Sequence, residues 1–420
     1  MRRDIVGSRT VLACALACAL LVWCPRAFAL NAALDVSQYI HTAWKVRDGF
    51  TKGTILALAQ TPDGYLWLGT ELGLLRFDGV RTVPWQPPPN QQLPSTAIQS
   101  LLVARDGTLW IGTDRGLASW TNGQLTRYEA LAGSVVGALL EDREGSIWAT
   151  RFLDEWTLCK ITKTGVACYG DGGAAGAGAL GLYEDRAGTF WVATSTGLWR
   201  WKPGPSTFYR LSNEANGIQG LAESSTGSLL MASEGGIRRF VNGRAEMAYP
   251  FPLSMQAPQS MRLLRDRDGG LWAGTTSGGL VHVHNGITDV FSQTDGLSGE
   301  DVSAIFEDRE GNIWVATDGG LDRFRTAPVV SYSSHQGLSS GRVNSVLAAT
   351  DGSIWFGTYD GLNRLANGQS SRVQKFTGAG MPAEVQSIFE DSQHRVWLST
   401  ARGVGYMENN RFVVVKGGPP

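Results

Sequence analysis

The chain has 420 residues, 43% apolar and 18% charged, with a formal net charge of −1, which is ordinary for a globular protein large enough for several core units. That balance excludes partners held by bulk positive charge, so neither nucleic acid nor anionic lipid is expected. Fifty-three glycines without a Gly-X-Y period exclude collagen and indicate many tight turns, and fifteen tryptophans indicate a structural position that recurs.

The N-terminus reads as a secretory signal over residues 1–29. Arg2, Arg3 and Arg9 form a charged start, Thr10–Trp23 is apolar, and Ala27-Phe28-Ala29 places small residues at a cleavage site. The apolar run is short for a membrane span. Trp23 stands where a lipoprotein signal needs a small residue, so no anchor is expected on Cys24. Cleavage removes four of the 37 basic residues and one of the 38 acidic ones, leaving 33 and 37 and a net charge of −4. The mature chain is expected in the periplasm.

A repeat of about 42 residues follows. DGYLWLGTELGLLRF (63–77) returns as DGTLWIGTDRGLASW (106–120), AGTFWVATSTGLWRW (187–201), DGGLWAGTTSGGLVHV (268–283), EGNIWVATDGGLDRF (310–324) and DGSIWFGTYDGLNRL (351–365). Weaker copies begin at Glu144, Thr226 and Gln393. From Gly64 through Gly107, Gly145, Gly188, Gly227, Gly269, Gly311 and Gly352 to His394, the steps are 43, 38, 43, 39, 42, 42, 41 and 42.

Each unit reads as four short strands. In the seventh, Val302–Asp308, Ile313–Thr317 and Leu321–Arg325 are strands separated by turns at 309–312 and 318–320. Elsewhere a hairpin carries a turn pair suited to positive φ: Asp78-Gly79, Asn122-Gly123, Asn242-Gly243, Asn285-Gly286 or Asn367-Gly368. Helical periodicity is absent. Four antiparallel strands in this length make one propeller blade. The Trp found in eight of nine copies is expected between blade faces, with the Gly or Ala two residues later allowing close approach.

Within the third unit, Cys159 and Cys168 flank the turn 162–165 and would face one another across a hairpin. They are either a disulfide or two small buried hydrophobes. Three other cysteines leave with the signal.

After the seventh unit the pattern changes. Arg325–Pro328 lacks the hairpin, and the strand and loop VVSYSSHQGLSSGRVNSV (329–346) resemble YIHTAWKVRDGFTKGTIL (39–56). Shared-strand closure explains this: Tyr39–Val46 would supply the outer strand of blade seven. The expected architecture is all-β, a seven-bladed propeller of four-stranded blades over 37–326, then two further repeats over 327–420 that begin a second, incomplete propeller. A nine-bladed ring is the alternative. The early end implies a truncated chain or part of a longer product.

The motif Asp-x-x-Gly-x-(Leu/Ile)-Trp-x-(Gly/Ala)-Thr-x-x-Gly-Leu, in tandem over 37–415 after a signal, resembles the two-component regulator propeller family. In that family two periplasmic seven-bladed propellers are commonly followed by an immunoglobulin-like domain, a membrane helix and a kinase or diguanylate cyclase. The resemblance implies a ligand-sensing ectodomain whose output lies in absent C-terminal domains or a membrane-bound signalling partner. This chain departs from it in ending early, without phosphoacceptor helix or nucleotide-binding motif.

Catalysis is not expected. EDREGNIW (307–314) is similar to the Asp box of sialidases, itself a structural turn, and no Arg cluster with a Tyr nucleophile accompanies it. Streptogramin lyases share the blade number, but no unit here carries their His and Glu pattern. His41, His335 and His394 stand alone, while His282-x-His284 would put two imidazoles on one strand face; an exposed or interblade pair is expected there, with no metal and no cofactor. Binding is expected at the turns after the second strands, by the channel mouth. The residue after the recurrent Thr or Ser there varies: Glu71, Asp114, Arg151 (where the alignment slips by a residue), Ser195, Glu234, Thr276, Asp318 and, in the eighth unit, Tyr359. Such a ring suits a small polar ligand such as an oligosaccharide or peptide. A protein-interaction scaffold is the alternative.

Overall fold

The computed structural model describes residues 34–153, 156–169, 179–202, 206–211, 218, 220–252, 255, 260–327, 329–366, 373–376, 380–381 and 383–415. The signal segment, the pair Asn367-Gly368 and residues 416–420 lie outside them. Among the described residues the regular structure is strand, apart from four single-turn 3-10 helices at Val36–Gln38, Val46–Asp48, Glu129–Leu131 and Gln293–Asp295. The strands form nine four-stranded antiparallel sheets, one per repeat.

Local chemistry explains why each repeat becomes a blade. In blade seven the turn after the inner strand is tied by Asp308, whose carboxylate accepts from the Asn312 amide, the Asn312 side chain and the Trp314 indole N–H, each at 2.7 Å. The same Asp-to-Trp bond recurs at Asp142–Trp148, Asp185–Trp191, Asp266–Trp272 and Asp391–Trp397. In blade one the Thr61 hydroxyl takes its place. The glycine that sets the repeat is left-handed in every copy, at φ 81° for Gly311, and His394 is forced to φ 60° where it replaces glycine. At the next turn the recurrent Thr closes the chain on itself: the Thr70 hydroxyl donates to the Gly73 carbonyl at 2.8 Å and accepts from the Leu72 amide. Asn122-Gly123, Asn242-Gly243 and Asn285-Gly286 have both residues at positive φ, as a two-residue hairpin requires.

The core lies between blades. Trp314 packs on Ile55, Leu58 and Leu68 of blade one, and Trp272 on Val302, Ile313 and Val315 of blade seven. Fully burying a large apolar side chain contributes roughly 1.5–3 kcal/mol. Two residues beyond the Trp, a side chain has no room. A Cβ on Gly69 would stand 2.6 Å from Ile98 Cγ2 of the next blade, and one on Gly274 would stand 2.5 Å from Val302 Cγ1.

The inner strands Ile55–Gln60, Ile98–Val103, Val135–Glu141, Ala179–Glu184, Leu221–Glu223, Ser260–Arg265 and Val302–Glu307 adjoin one another in order, and the seventh adjoins the first. Seven blades therefore close the ring. Ile40–Lys45 is the outer strand of blade seven, antiparallel to Gly320–Arg325 in the register Ile40↔Arg325 to Lys45↔Gly320. The seam between blades seven and one is fastened by Gln60, which donates to Glu310 at 2.9 Å and accepts from the Arg309 amide at 2.8 Å.

Blades eight and nine pack on each other through Trp355, Leu362, Phe376, Val385, Val396 and Leu398. Gly405 pairs with Leu398 and Val414, not with the N-terminal strand, which rules out a nine-bladed ring. One expectation needs correcting: residues 329–333 form no strand. A lone strand has no ladder partner to satisfy its backbone, and the edge of blade seven is already taken by Ile40–Lys45. Instead Tyr332 packs against Phe356, at 6.0 Å between centroids. Val346 and Phe389 remain exposed, at 59% and 65%, on faces that a neighbouring blade would cover.

Candidate ligand site at the loop face of blade one

The variable residues named from sequence occupy equivalent turns. Glu71, Asp114, Ser195, Glu234, Thr276 and Asp318 each follow the last residue of a second strand (Thr70, Thr113, Thr194, Ser233, Thr275 and Thr317), as Tyr359 follows Thr358 in blade eight. Glu71, Glu234 and Asp318 are exposed; Asp114, Ser195 and Thr276 are half-buried. Arg151 does not belong with them. It lies within the strand Ile147–Phe152, paired with Val136, in the place the recurrent Thr holds elsewhere, and its Nε donates to the Ser134 hydroxyl at 2.8 Å. The missing residue of this repeat is absorbed by extending the strand, which withdraws Arg151 from the turn.

No hydrogen bond or ion pair joins any two of Glu71, Asp114, Glu234 and Asp318 among the described residues. Asp318 instead accepts from the Asp301 amide at 3.3 Å. Burial and the neighbouring Asp318 charge push the Asp301 carboxyl up, and Arg262 opposes them. Asp114 keeps one buried carboxylate oxygen without a partner.

A more developed site opens beside Glu71. A cavity of about 650 Å³ is bounded by the segment Gly49–Gly53, by Thr70 and Leu72–Leu75, and by the loop that leaves the outer strand Thr82–Pro84. That volume lies in the range of small-molecule pockets. Phe50, Leu72, Trp85 and Leu93 supply apolar surface, and Thr51, Gln86, Gln92, Ser95 and Thr96 supply hydroxyls and amides. Among the described lining residues Lys52 alone is charged.

The walls are held in place before any ligand arrives. Trp85 stands edge-on to Trp67 and Trp120, at 5.9 and 5.0 Å between centroids. The Thr82 hydroxyl donates to the Phe50 carbonyl at 2.8 Å, and Gln91 accepts from the Leu125 amide of blade two at 2.7 Å. The repeat pattern does not point to this cavity, because the cavity forms where blade one departs from the repeat. The signal was the proline-rich PWQPPPNQQLP (84–94), where blade one needs residues 85–97 to reach its neighbour and blade two needs only 128–134.

Cys159 and Cys168 lie directly opposite one another in the third hairpin of the ring and are joined as a disulfide. His282 and His284 are buried at the seam between blade six and the N-terminal segment, not exposed.

Nine four-stranded sheets, seven of them closed by a strand from the chain's own N-terminus, define a β-propeller. Segments 49–71, 92–115, 296–319 and 337–360 match the two component regulator propeller family. No curated protein matches the sequence. Among solved structures it is similar to the extracellular domain of the hybrid two component system BT3049 from B. thetaiotaomicron, with a TM-score of 0.59, 18% identity, and 90% of this chain covered against 54% of that one. The corresponding domain of BT4673 gives 0.57, 20% identity, 91% and 54%. The chain thus spans about half the length of those ectodomains. Virginiamycin B lyase from Staphylococcus aureus, determined as a catalytically inactive form with quinupristin, gives 0.56, 14% identity, 69% of this chain and 100% of that one. At these identities the likeness is one of fold.

Proposed function

We propose that this chain is a periplasmic, ligand-sensing propeller of a two-component-type signalling protein, and that it binds rather than transforms its ligand. Output would pass to a membrane-bound partner or to domains C-terminal to these blades. The observation that carries the reading is the preformed cavity at blade one. Aromatic rings at Phe50 and Trp85 offer flat apolar faces, and the amides and hydroxyls between them offer directional hydrogen bonds. Oligosaccharides and short uncharged or acidic peptides fit that chemistry. A cationic guest does not, since Lys52 is the only charge among the described lining residues. Export is supported by the signal-like N-terminus and by the Cys159–Cys168 disulfide, which persists in an oxidising compartment.

The test is a thermal-shift screen of the exported chain against oligosaccharides and peptides, repeated on Trp85→Ala, Gln92→Ala and Asp318→Ala. A ligand at about 100 times its Kd stabilises by about 2.7 kcal/mol. We expect the shift to vanish in the first two variants and to persist in the third. A shift lost only in Asp318→Ala would move the site to the channel mouth. No shift from any member of the screen would favour a protein-interaction scaffold.

A further inference from the structure

The third strand of blade six, Leu280–His284, and its outer strand, Ile287–Phe291, are joined by the two-residue turn Asn285-Gly286. That turn sets the register, placing His284 opposite Ile287 and His282 opposite Asp289. Side chains alternate along a strand, so His282, His284 and Asp289 share one face. One ligating atom from each lies within 4.8 Å of the others.

His282 is fully buried, stacked on Trp272 at 4.0 Å and on His284 at 5.2 Å between centroids, with the Tyr39 ring edge-on at 5.8 Å. Neither of its ring nitrogens has a hydrogen-bond partner, and neither does Nδ1 of His284. The other nitrogen of His284 meets the Asp289 carboxylate. Buried polar atoms are nearly always paired. A phenylalanine would fill the same stack without orphaning two nitrogens, so packing alone does not account for this residue.

Two further features converge on the same place. Gly270 occupies the position that Asn312 holds in blade seven, and a Cβ there would stand 2.6 Å from Asp266 Oδ2 and 3.0 Å from His282 Nε2. The glycine leaves space between an imidazole edge and a carboxylate. Asp266, Asp268, Asp289 and Asp35 all act electrostatically on the Tyr39 phenol, so four carboxylates concentrate negative potential at this seam. The neighbouring Arg267 is directed elsewhere, to Glu307 at 3.2 Å.

We propose that His282, His284 and Asp289 bind a transition-metal ion of the Zn²⁺ class at the seam between blade six and the N-terminal closing segment. Two borderline imidazole donors with one carboxylate make a set that suits Zn²⁺ and not Ca²⁺ or Mg²⁺, which take all-oxygen ligands. With bonds of about 2.0–2.1 Å, tetrahedral ligands sit about 3.3 Å apart, so the wider separations, within 4.8 Å, close by up to about 1.5 Å while His284 and Asp289 draw slightly apart, their direct bond giving way to two bonds to the ion. The fourth position falls to water or Asp266. Asp289, with its side chain 15% exposed, marks the way in from solvent. Since Tyr39 packs against Trp272 at 5.7 Å, the ion would clip the outer hairpin of blade six beside the residues that close the ring.

The experiment uses the full exported chain without a histidine tag, loaded with Zn²⁺, freed of excess metal, and assayed by elemental analysis. Parallel samples carry Asp289→Asn, His284→Gln, and His335→Ala with His394→Ala as a control on the exposed histidines. One Zn²⁺ per chain is expected in the wild type and the control. Affinity in Asp289→Asn and His284→Gln should fall by more than the ~10–100-fold that loss of an outer-sphere group costs. Zn²⁺ should raise the wild-type Tm, while Ca²⁺ and Mg²⁺ leave it unchanged. Co²⁺ in the wild type should give the intense visible absorption of a four-coordinate site, a readout that stands even where a variant folds poorly. Sub-stoichiometric Zn²⁺, retention unchanged in both site variants, loss in the control, or a weak six-coordinate Co²⁺ spectrum would each overturn the assignment.

Discussion

The seam between blades six and seven can be tested by a pair of substitutions whose effects should partly offset one another. Gly274 lies two residues beyond Trp272, against the fully buried Val302 of the next inner strand. A methyl at Gly274 would sit 2.5 Å from Val302 Cγ1 and 2.9 Å from Val302 Cβ, against a comfortable carbon–carbon contact of about 3.5–4.0 Å. Rotating the valine cannot relieve a clash that includes its Cβ. Gly274→Ala should therefore cost about 1–3 kcal/mol by overpacking. Val302→Ala removes two buried methyls and leaves a void, costing about 2–3 kcal/mol. Together, the new methyl occupies part of the vacated space, so the double variant should be more stable than the sum of the singles by at least about 1 kcal/mol. Denaturant unfolding followed by tryptophan fluorescence measures all four corners of the cycle. Additivity to within about 0.5 kcal/mol would refute the claim that the second strand of blade six, Leu271–Thr275, directly contacts the inner strand of blade seven.

Trp314→Ala should cost about 3–5 kcal/mol by opening a cavity between blades seven and one, whereas Trp314→Phe keeps most of the packing and should cost about 1–2 kcal/mol for the lost bond to Asp308; thermal melts separate the two. Reducing the Cys159–Cys168 disulfide, which closes a loop of sequence separation 9, should lower stability by roughly 2–3 kcal/mol, read as a drop in Tm with reductant. The Asp301 carboxyl is pushed up by burial and by Asp318, so the native state takes up its proton at higher pH than the unfolded chain does. The stability tied to that proton is fully present below the ordinary aspartate range and is lost as pH rises through the raised native value. Asp301→Asn should then be more stable than wild type at neutral pH, and the gap should close on acidification; a gap that widens in acid would reverse the sign. N-terminal sequencing of the periplasmic fraction should begin at or near Leu30, and a chain retaining Met1 would remove the export reading.

Repeat chemistry made the blades legible before any coordinates. A left-handed glycine, a Trp six residues after an Asp, a Thr closing the next turn and an Asn-Gly hairpin are all short-range devices, each acting within a few residues of itself. Even the closing strand could be found, because 39–56 and 329–346 share a pattern that ordinary blade junctions lack. The likeness misled only where it implied that 329–333 must also be a strand, since a strand exists by virtue of its partner. Arg151 shows the same limit on a smaller scale: a one-residue slip, invisible in a residue count, moved it from a turn into a ladder. The cavity at blade one is assembled from three separate segments, 49–53, 70–75 and 82–96, whereas His282, His284 and Asp289 come from one hairpin that is buried against Trp272 and Tyr39. His282-x-His284 was visible as a local pair, but the burial that leaves its nitrogens without partners, like the shape of the cavity, is set by packing between distant segments. The amino-acid order dictated the fold of each unit through local turns and alternation; only the packed ring decided which side chains meet.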